Sequence, residues 1–436
     1  MLFDWAAWQH SWNAPHSTSD LFFRSLFAII LAVASTGPFR ELNTASSWRA
    51  GTVGARFGGF LTPAWARVAL CCAVLLSGGA FAANVLAPVA VAVMTVCFLL
   101  LATVYLSQEF AGTVTEEDDG RRHFTVHHHL HLLGMAALAI TATGLCAAAA
   151  GYGATSHRTT VWMAQGLWGA IPAHYFVSAV SKVRKRGLRW PDPRLFPFYV
   201  TLFARFEAGD GKAVTRTGPG WALARRPRWG VVTLWAVLLL ELSTPLAVLG
   251  PAPRAVICGS LLLFHLGSLW VLSVDFRENA MLVALGMLPL PFVGGPWVGL
   301  GPQAPAVMVF AAATVLSLAF DDRVYPFSNL PMFAAAYRPA SVVTLRSPDG
   351  SEIYPTPEVA NCSTSGLSRE YSAAESSSDA LDAFVDRVGR RNAAAPSSLP
   401  DGATLWVETV DVDPTGTVRT SQRRLCSLFP STADGR

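Results

Sequence analysis

Residues 86–106 read LAPVAVAVMTVCFLLLATVYL, an uncharged run that fixes the class of the fold. A helix needs about 20 apolar residues to cross the hydrocarbon core of a bilayer, and this run supplies them without interruption. Working outward, comparable runs occur near 21–36, 64–84, 127–150, 161–181, 229–249, 255–275, 279–298 and 303–320. Nine spans are therefore expected, the eighth being interrupted by prolines 289 and 291. Prolines 172 and 245 fall inside other spans, where neighbouring helices can satisfy the freed carbonyls. The reading is an all-α polytopic membrane protein, placed as a multi-pass protein of the cell membrane, with a transmembrane domain over 1–320.

Composition agrees with that reading. Of the 436 residues, 52% are hydrophobic and only 14% charged. Soluble domains carry about 25% charged residues, so an ordinary cytosolic enzyme is excluded. The apolar content equally excludes a disordered chain. The net charge of +4 is carried by arginine, since only Lys182, Lys185 and Lys212 are lysines, a usage typical of GC-rich bacterial genomes. There is no basic tract of the kind nucleic acid requires, so no nucleic-acid partner is expected. The seven cysteines form no CxxC pair, and five of them (Cys71, Cys72, Cys97, Cys146, Cys258) lie in apolar runs. Cys362 and Cys426 lie in the polar tail and could pair in an extracytoplasmic tail. Met1–Asp20 has neither a basic leader region nor a small-residue cleavage site, so no cleaved signal peptide is expected.

Arginine and lysine cluster in alternate loops: Arg40, Arg49, Arg56 and Arg67; Arg121 and Arg122; and densely from Lys182 to Arg228. With nine spans the positive-inside rule places these loops and the C-terminus in the cytoplasm. Asp192–Glu207 is short and aromatic (Phe196, Phe198, Tyr199, Phe203, Phe206) and predicts a helix lying in the membrane interface. From Asp321 onward the chain turns polar, which marks a second, soluble α+β domain over 321–436. Asp349-Gly350 joins two short strand runs as a hairpin turn. Leu381, Phe384 and Val388 recur at helical spacing, and Pro414-Thr415-Gly416 joins a second strand pair. Tyr325–Phe333 reads as an interfacial aromatic anchor. The simplest role for the tail is docking a protein or peptide partner.

Ionisable groups at membrane depth are costly and usually face a cavity or a partner. His174, Ser178 and Lys182 recur every four residues and share one helical face. Glu241 lies in Leu-Leu-Leu-Glu-Leu-Ser-Thr-Pro, and His265 lies mid-way along another span. These groups can line one polar cavity. Each also has a plainer reading: Lys182 can snorkel to the headgroups, Glu241 can be protonated or ion-paired, and His265 can be a hydrogen-bonded core histidine. His123, His127, His128, His129 and His131 open the fourth span. His127 and His131 have a metal-compatible spacing, but no third ligand is identifiable. A role in holding an anionic or quinone-like ligand fits this cluster better, and no metal is expected.

Tyr175-Phe-Val-Ser-Ala-Val-Ser-Lys-Val183 followed by Gly187-Leu-Arg-Trp190 resembles the lysine-bearing segment of the vitamin K-dependent γ-glutamyl carboxylases and of the bacterial HTTM (horizontally transferred transmembrane domain) proteins. Lys182 stands where that family has its catalytic lysine, and Glu241 where it has an acidic residue. Phe264-His265, with Asn279 and Gly286-Met287, is similar to its histidine segment, and His127–Leu132 to its opening of an earlier span. The resemblance covers roughly Asp20 to Phe320. It departs at Ser181-Lys182, where the family has paired lysines, and in the tail, which replaces a large lumenal domain. The carboxylases work on the lumenal side, whereas charge counting puts Lys182 at the cytoplasmic side.

The resemblance implies a catalytic set of Lys182, Glu241 and His265. It also implies a ligand site including His174, Tyr175, Ser178, His128 and His129, holding a reduced naphthoquinone such as menaquinol or a vitamin K hydroquinone. Lys182 would act as the base, O₂ would oxidise the quinol, and glutamate carboxylation, a lyase- or ligase-like step, would follow. The alternatives are a non-catalytic module that binds quinone or membrane lipid and presents its tail to a partner, a redox subunit working beside thiol-disulfide proteins, and a transporter. The missing CxxC pair counts against the redox subunit, and the missing repeat symmetry against the transporter.

Overall fold

A computed structural model describes residues 18–41, 63–106, 113–116, 122–125, 128–209, 218–272, 274, 276–288, 290, 302–320, 325–326, 339–353, 367–368, 371–372, 374–375, 377–394 and 402–427, with side chains omitted at a few element ends. The helices are α1 (Thr18–Glu41), α2 (Ala64–Ala82), α3 (Ala87–Leu106), α4 (His128–Ala149), α5 (His157–Arg186), α6 (Leu195–Gly209), α7 (Pro219–Ala224), α8 (Pro227–Ser243), α9 (Pro251–Leu272), α10 (Arg277–Gly286) and α11 (Ala304–Phe320). A short hairpin, β1 (Thr113–Glu116) and β2 (Arg122–Thr125), precedes α4.

Among the described residues, six helices are long and apolar enough to cross a membrane: α1, α2, α3, α4, α9, and α8 with its 3₁₀ continuation to Leu249. The protein is thus a multi-pass membrane protein. The expected fifth span corresponds to α5, whose 30 residues begin at a Ser156 cap that accepts a hydrogen bond from the Thr159 N–H. It ends at Gly187, whose φ of 61° is open to glycine at little cost. The eighth expected span, 279–298, is represented only by the ten-residue α10; residues 291–300 lie outside the described set. Pro289 and Pro291 follow α10 directly, and proline can neither donate a backbone hydrogen bond nor continue a helix.

α5 is the hub. It packs on α4 along one side, on α11 along another, and on α8. Two glycines allow the close approach to α4 and α11. A Cβ at Gly166 would sit 2.6 Å from the Ala139 carbonyl oxygen, and one at Gly169 would collide with the Ala306 carbonyl oxygen. Burial follows from this position: nearly every residue from Thr159 to Lys182 is shielded, the polar Gln165, His174 and Ser181 included.

The tail carries a four-stranded antiparallel sheet in the order β4-β3-β5-β6, built from β3 (Ala340–Arg346), β4 (Glu352–Ile353), β5 (Thr404–Val412) and β6 (Val418–Ser427). Side chains alternate across the sheet, so each face has its own cover. Val343, Leu345, Leu405 and Val407 pack with Phe384 and Val388 of α12 (Ser378–Ala394). From the opposite face, Val342, Val410 and Val412 pack on Phe198, Tyr199 and Leu202 of α6. A helix over the anticipated Asp192–Glu207 stretch therefore exists as α6, and the tail sheet rests on it. Cys362 and most of the Tyr325–Phe333 anchor lie outside the described residues.

Candidate functional site

Helical spacing stacks His174/Tyr175, Ser178 and Lys182 on one face of α5, and α8, α9 and α10 close over that face. The enclosed space is a cavity of about 400 Å³. Lys182, Glu241, His265, His174, Tyr175 and Ser178 all line it. Six of the eight residues expected at the site therefore share one cavity. The other two, His128 and His129, begin α4, and their side chains lie outside the described residues.

At one end is an ion pair. The Lys182 Nζ lies 2.5 Å from Glu241 Oε1 and 2.6 Å from Oε2. The two side chains are 3% and 5% exposed, so neither reaches water. The snorkelling alternative for Lys182 is thereby excluded. Ser178 Oγ donates to Glu241 Oε1 at 3.4 Å, and the ring of Trp190 lies 4.9 Å from the Lys182 Nζ. Lys182 is thus held between a carboxylate and an aromatic face.

Two helical turns toward the N-terminus of α5 lies a second polar end. Tyr175 Oη makes a short hydrogen bond to His265 Nε2. His174 meets the Tyr175 ring edge-on at 5.2 Å, and Phe276 lies 5.5 Å from the His265 ring. Among the described residues, His174 Nδ1, His265 Nδ1 and Asn279 Oδ1 are buried without a hydrogen-bond partner. Buried polar atoms are nearly always satisfied, so three orphans beside one cavity point to a ligand or ordered water. Between the polar ends the wall is apolar, including Phe196 and Tyr199 of α6, Leu240 of α8 and Phe264 of α9.

Two features have little or no local signal in the sequence. Trp190 belongs to the quoted motif, but nothing local shows that its ring turns back over Lys182. Arg254, at the start of α9, is 1% exposed and stacks on Trp168 with 3.4 Å from its guanidinium carbon to the ring centroid. It donates to the Leu288 and Leu290 carbonyls at 3.3 and 3.4 Å, beyond the end of α10. A cation there complements the negative end of a helix. Its one sequence signal is an arginine a turn inside an apolar run.

His131 takes a structural part. Its Nδ1 lies 3.0 Å from the Pro326 carbonyl oxygen and its ring packs on Tyr325, whose hydroxyl donates to the Leu130 carbonyl at 2.8 Å. Among the described residues no group of three or more His, Cys, Asp or Glu side chains is placed to hold a metal ion. Comparison with protein-family models, with characterised proteins and with solved structures yields no match to this chain.

Proposed function

We propose that the protein is a membrane enzyme that oxidises a reduced naphthoquinone, with Lys182 as the base. One observation carries this reading: a buried lysine–carboxylate pair terminates a cavity of about 400 Å³ whose walls between the polar ends are apolar. That volume lies within the range of about 300–1,000 Å³ common for small-molecule sites. A flat, largely apolar ring with oxygen substituents suits aromatic and aliphatic walls with polar groups at the ends. When bound, a reduced naphthoquinone supplies a weakly acidic ring hydroxyl and two electrons for O₂.

The residues themselves explain how a lysine at membrane depth can serve as a base. Only the neutral amine accepts a proton, and two opposite charges in a low-dielectric site cost on the order of several kcal/mol to desolvate. In the proposed reaction the proton moves from Lys182 to Glu241 along their 2.5 Å contact. This leaves an amine beside a carboxylic acid, with no net charge buried. Trp190 then limits water at the amine, and Ser178 holds one carboxyl oxygen in place.

The test is quinol-dependent O₂ consumption by the purified protein in lipid nanodiscs, with Lys182→Ala as control. Consumption by the wild type and its loss in the variant would support the reading; equal rates would refute it. Incorporation of labelled CO₂ into a glutamate substrate tests carboxylation separately.

A second reading has its own support. α6 forms cavity wall on one side and carries the tail sheet on the other. A non-catalytic module that binds quinone or lipid could signal occupancy to a partner of the tail through this helix. Ligand binding without O₂ consumption would favour it.

A further inference from the structure

The end of the bundle at which α5 stops and α8 begins carries charge that the cavity does not use. From Arg184 to Arg228 the chain holds eleven basic and three acidic residues. Arg184 lies in the last turn of α5, and Arg189 closes the 3₁₀ turn Gly187–Arg189 that follows it. Arg226 and Arg228 bracket the proline that starts α8. All four side chains are exposed, and among the described residues none of them makes an ion pair. Asp192, by contrast, is already bound to Arg194 at 2.7 Å. Both arginine groups belong to one end of the molecule. Val183, Trp190 and Leu195 share an apolar cluster with Leu234, Trp235 and Leu238 of α8, and a Cβ at Gly230 would stand 3.0 Å from the Phe196 Cβ.

Their depth identifies what they meet. α8 is one of the helices able to cross a membrane, so Arg226 and Arg228 at its start lie where the chain leaves the hydrocarbon. Each group also adjoins a large exposed apolar side chain, Leu188 at 66% and Trp229 at 59%. In water these two would leave apolar area unburied. At a membrane interface they enter the acyl region while the guanidinium groups stay among the headgroups. Guanidinium pairs with phosphate oxygens through parallel N–H donors. A zwitterionic headgroup brings its own cation, whereas an anionic one leaves its negative charge for the protein. An acidic protein would match the charge equally well but would leave Leu188 and Trp229 in water.

We propose that this rim is a docking surface for anionic phospholipid headgroups. Arg184, Arg189, Arg226 and Arg228 are its phosphate donors, and Leu188 and Trp229 its apolar anchors. The inference stands apart from the quinol reading, since none of these six residues lines the cavity.

The test places the full chain in vesicles of equal parts phosphatidylcholine and phosphatidylglycerol with the same acyl chains. The protein is released in mild detergent, and the retained lipids are counted by native mass spectrometry. The wild type is expected to retain phosphatidylglycerol at least about threefold over phosphatidylcholine at low salt. That ratio should fall toward one at ~0.5 M salt, where exposed charges are screened. Arg226→Gln/Arg228→Gln and Arg184→Gln/Arg189→Gln should each lower it by about half. Arg387→Gln/Arg390→Gln removes the same charge from α12, which covers the sheet face opposite α6, and should leave the ratio unchanged. Arg226→Lys/Arg228→Lys keeps the charge and should retain most of the preference. Should the glutamine variants fail to insert, the wild-type ratio and its salt dependence decide. A wild-type ratio near one, no fall with salt, or an equal loss in the α12 variant overturns the proposal. Retention of a polyglutamate peptide with no preference between the two lipids also overturns it and reassigns the rim to an acidic protein.

Discussion

Replacing Lys182 by methionine removes the cation from the pair and leaves Glu241 facing Ser178 at 3.4 Å as its nearest remaining donor. Glu241 is 5% exposed at the side chain, so bulk water offers little substitute for the lost ammonium. Breaking a buried pair from one side costs about 3–5 kcal/mol, because an uncompensated polar group remains. Glu241→Leu should cost a similar amount by stranding the lysine. Removing both partners is different in kind: apolar side chains of similar size cost nothing for desolvation, and such replacements are often neutral or stabilising. Lys182→Met/Glu241→Leu should therefore be about 3 kcal/mol or more less destabilised than the sum of its single variants. At about 2 °C per kcal/mol for a chain of this size, each single variant should melt about 6–10 °C below the wild type. The double variant should return to within a few degrees of it. Thermal unfolding followed by tryptophan fluorescence in nanodiscs measures all four forms. The double variant should nonetheless lack quinol oxidation, which separates stability from chemistry. Additive losses in the double variant would refute the buried pair, and with it the basis of the proton transfer from Lys182 to Glu241.

Two further outcomes follow from other parts of the molecule. In the tail, the Ser347 hydroxyl and the Ser351 N–H donate to Asp349 and pull its carboxyl down to about 2. Because the folded value is depressed, the stabilisation is complete above about pH 4 and disappears as pH falls through the folded value. Asp349→Ala should accordingly lower the tail's melting temperature at pH 7 and have less and less effect as pH falls from about 4 to below 2, as read by amide NMR of the full chain. On α5, Gly169→Leu drives a side chain into the backbone of α11 at Ala306 and should destabilise by about 1–3 kcal/mol or more. Yield of monodisperse protein and melting temperature would register it, and an unaffected variant would show that the α5–α11 approach is looser than described.

Local signals account for most of what the sequence makes legible. Bilayer thickness forces long apolar runs, so six of the spans stand out directly in the sequence. The strands flank Asp349-Gly350 and Pro414-Thr415-Gly416, because turn chemistry is set by adjacent residues. The i, i+4 spacing of His174, Ser178 and Lys182 marks the functional face of α5. What crosses between distant segments is less legible. Glu241 has two candidate cations in the sequence, Lys182 and His265, and only the packing of α8 on α5 selects Lys182. The Tyr175–His265 bond joins residues 90 positions apart. The pairing of β3 with β5 likewise has no local marker, since no turn connects them. Arg254 does not stand out either, because a single arginine near a span end ordinarily snorkels; its burial depends on Trp168 and on carbonyls beyond α10.

α6 links these levels. Its sequence, Leu-Phe-Pro-Phe-Tyr-Val, offers bulky apolar side chains to more than one side, which a one-sided interfacial helix would not need. Phe196 and Tyr199 turn toward the cavity, and Phe198 and Leu202 toward Val342, Val410 and Val412 of the sheet. Tyr199 belongs to both contacts. The sheet of the tail and the wall of the cavity thus meet on one helix, with Tyr199 in contact with both. The small sheet therefore sits on the same helix that forms one wall of the cavity holding Lys182 and Glu241.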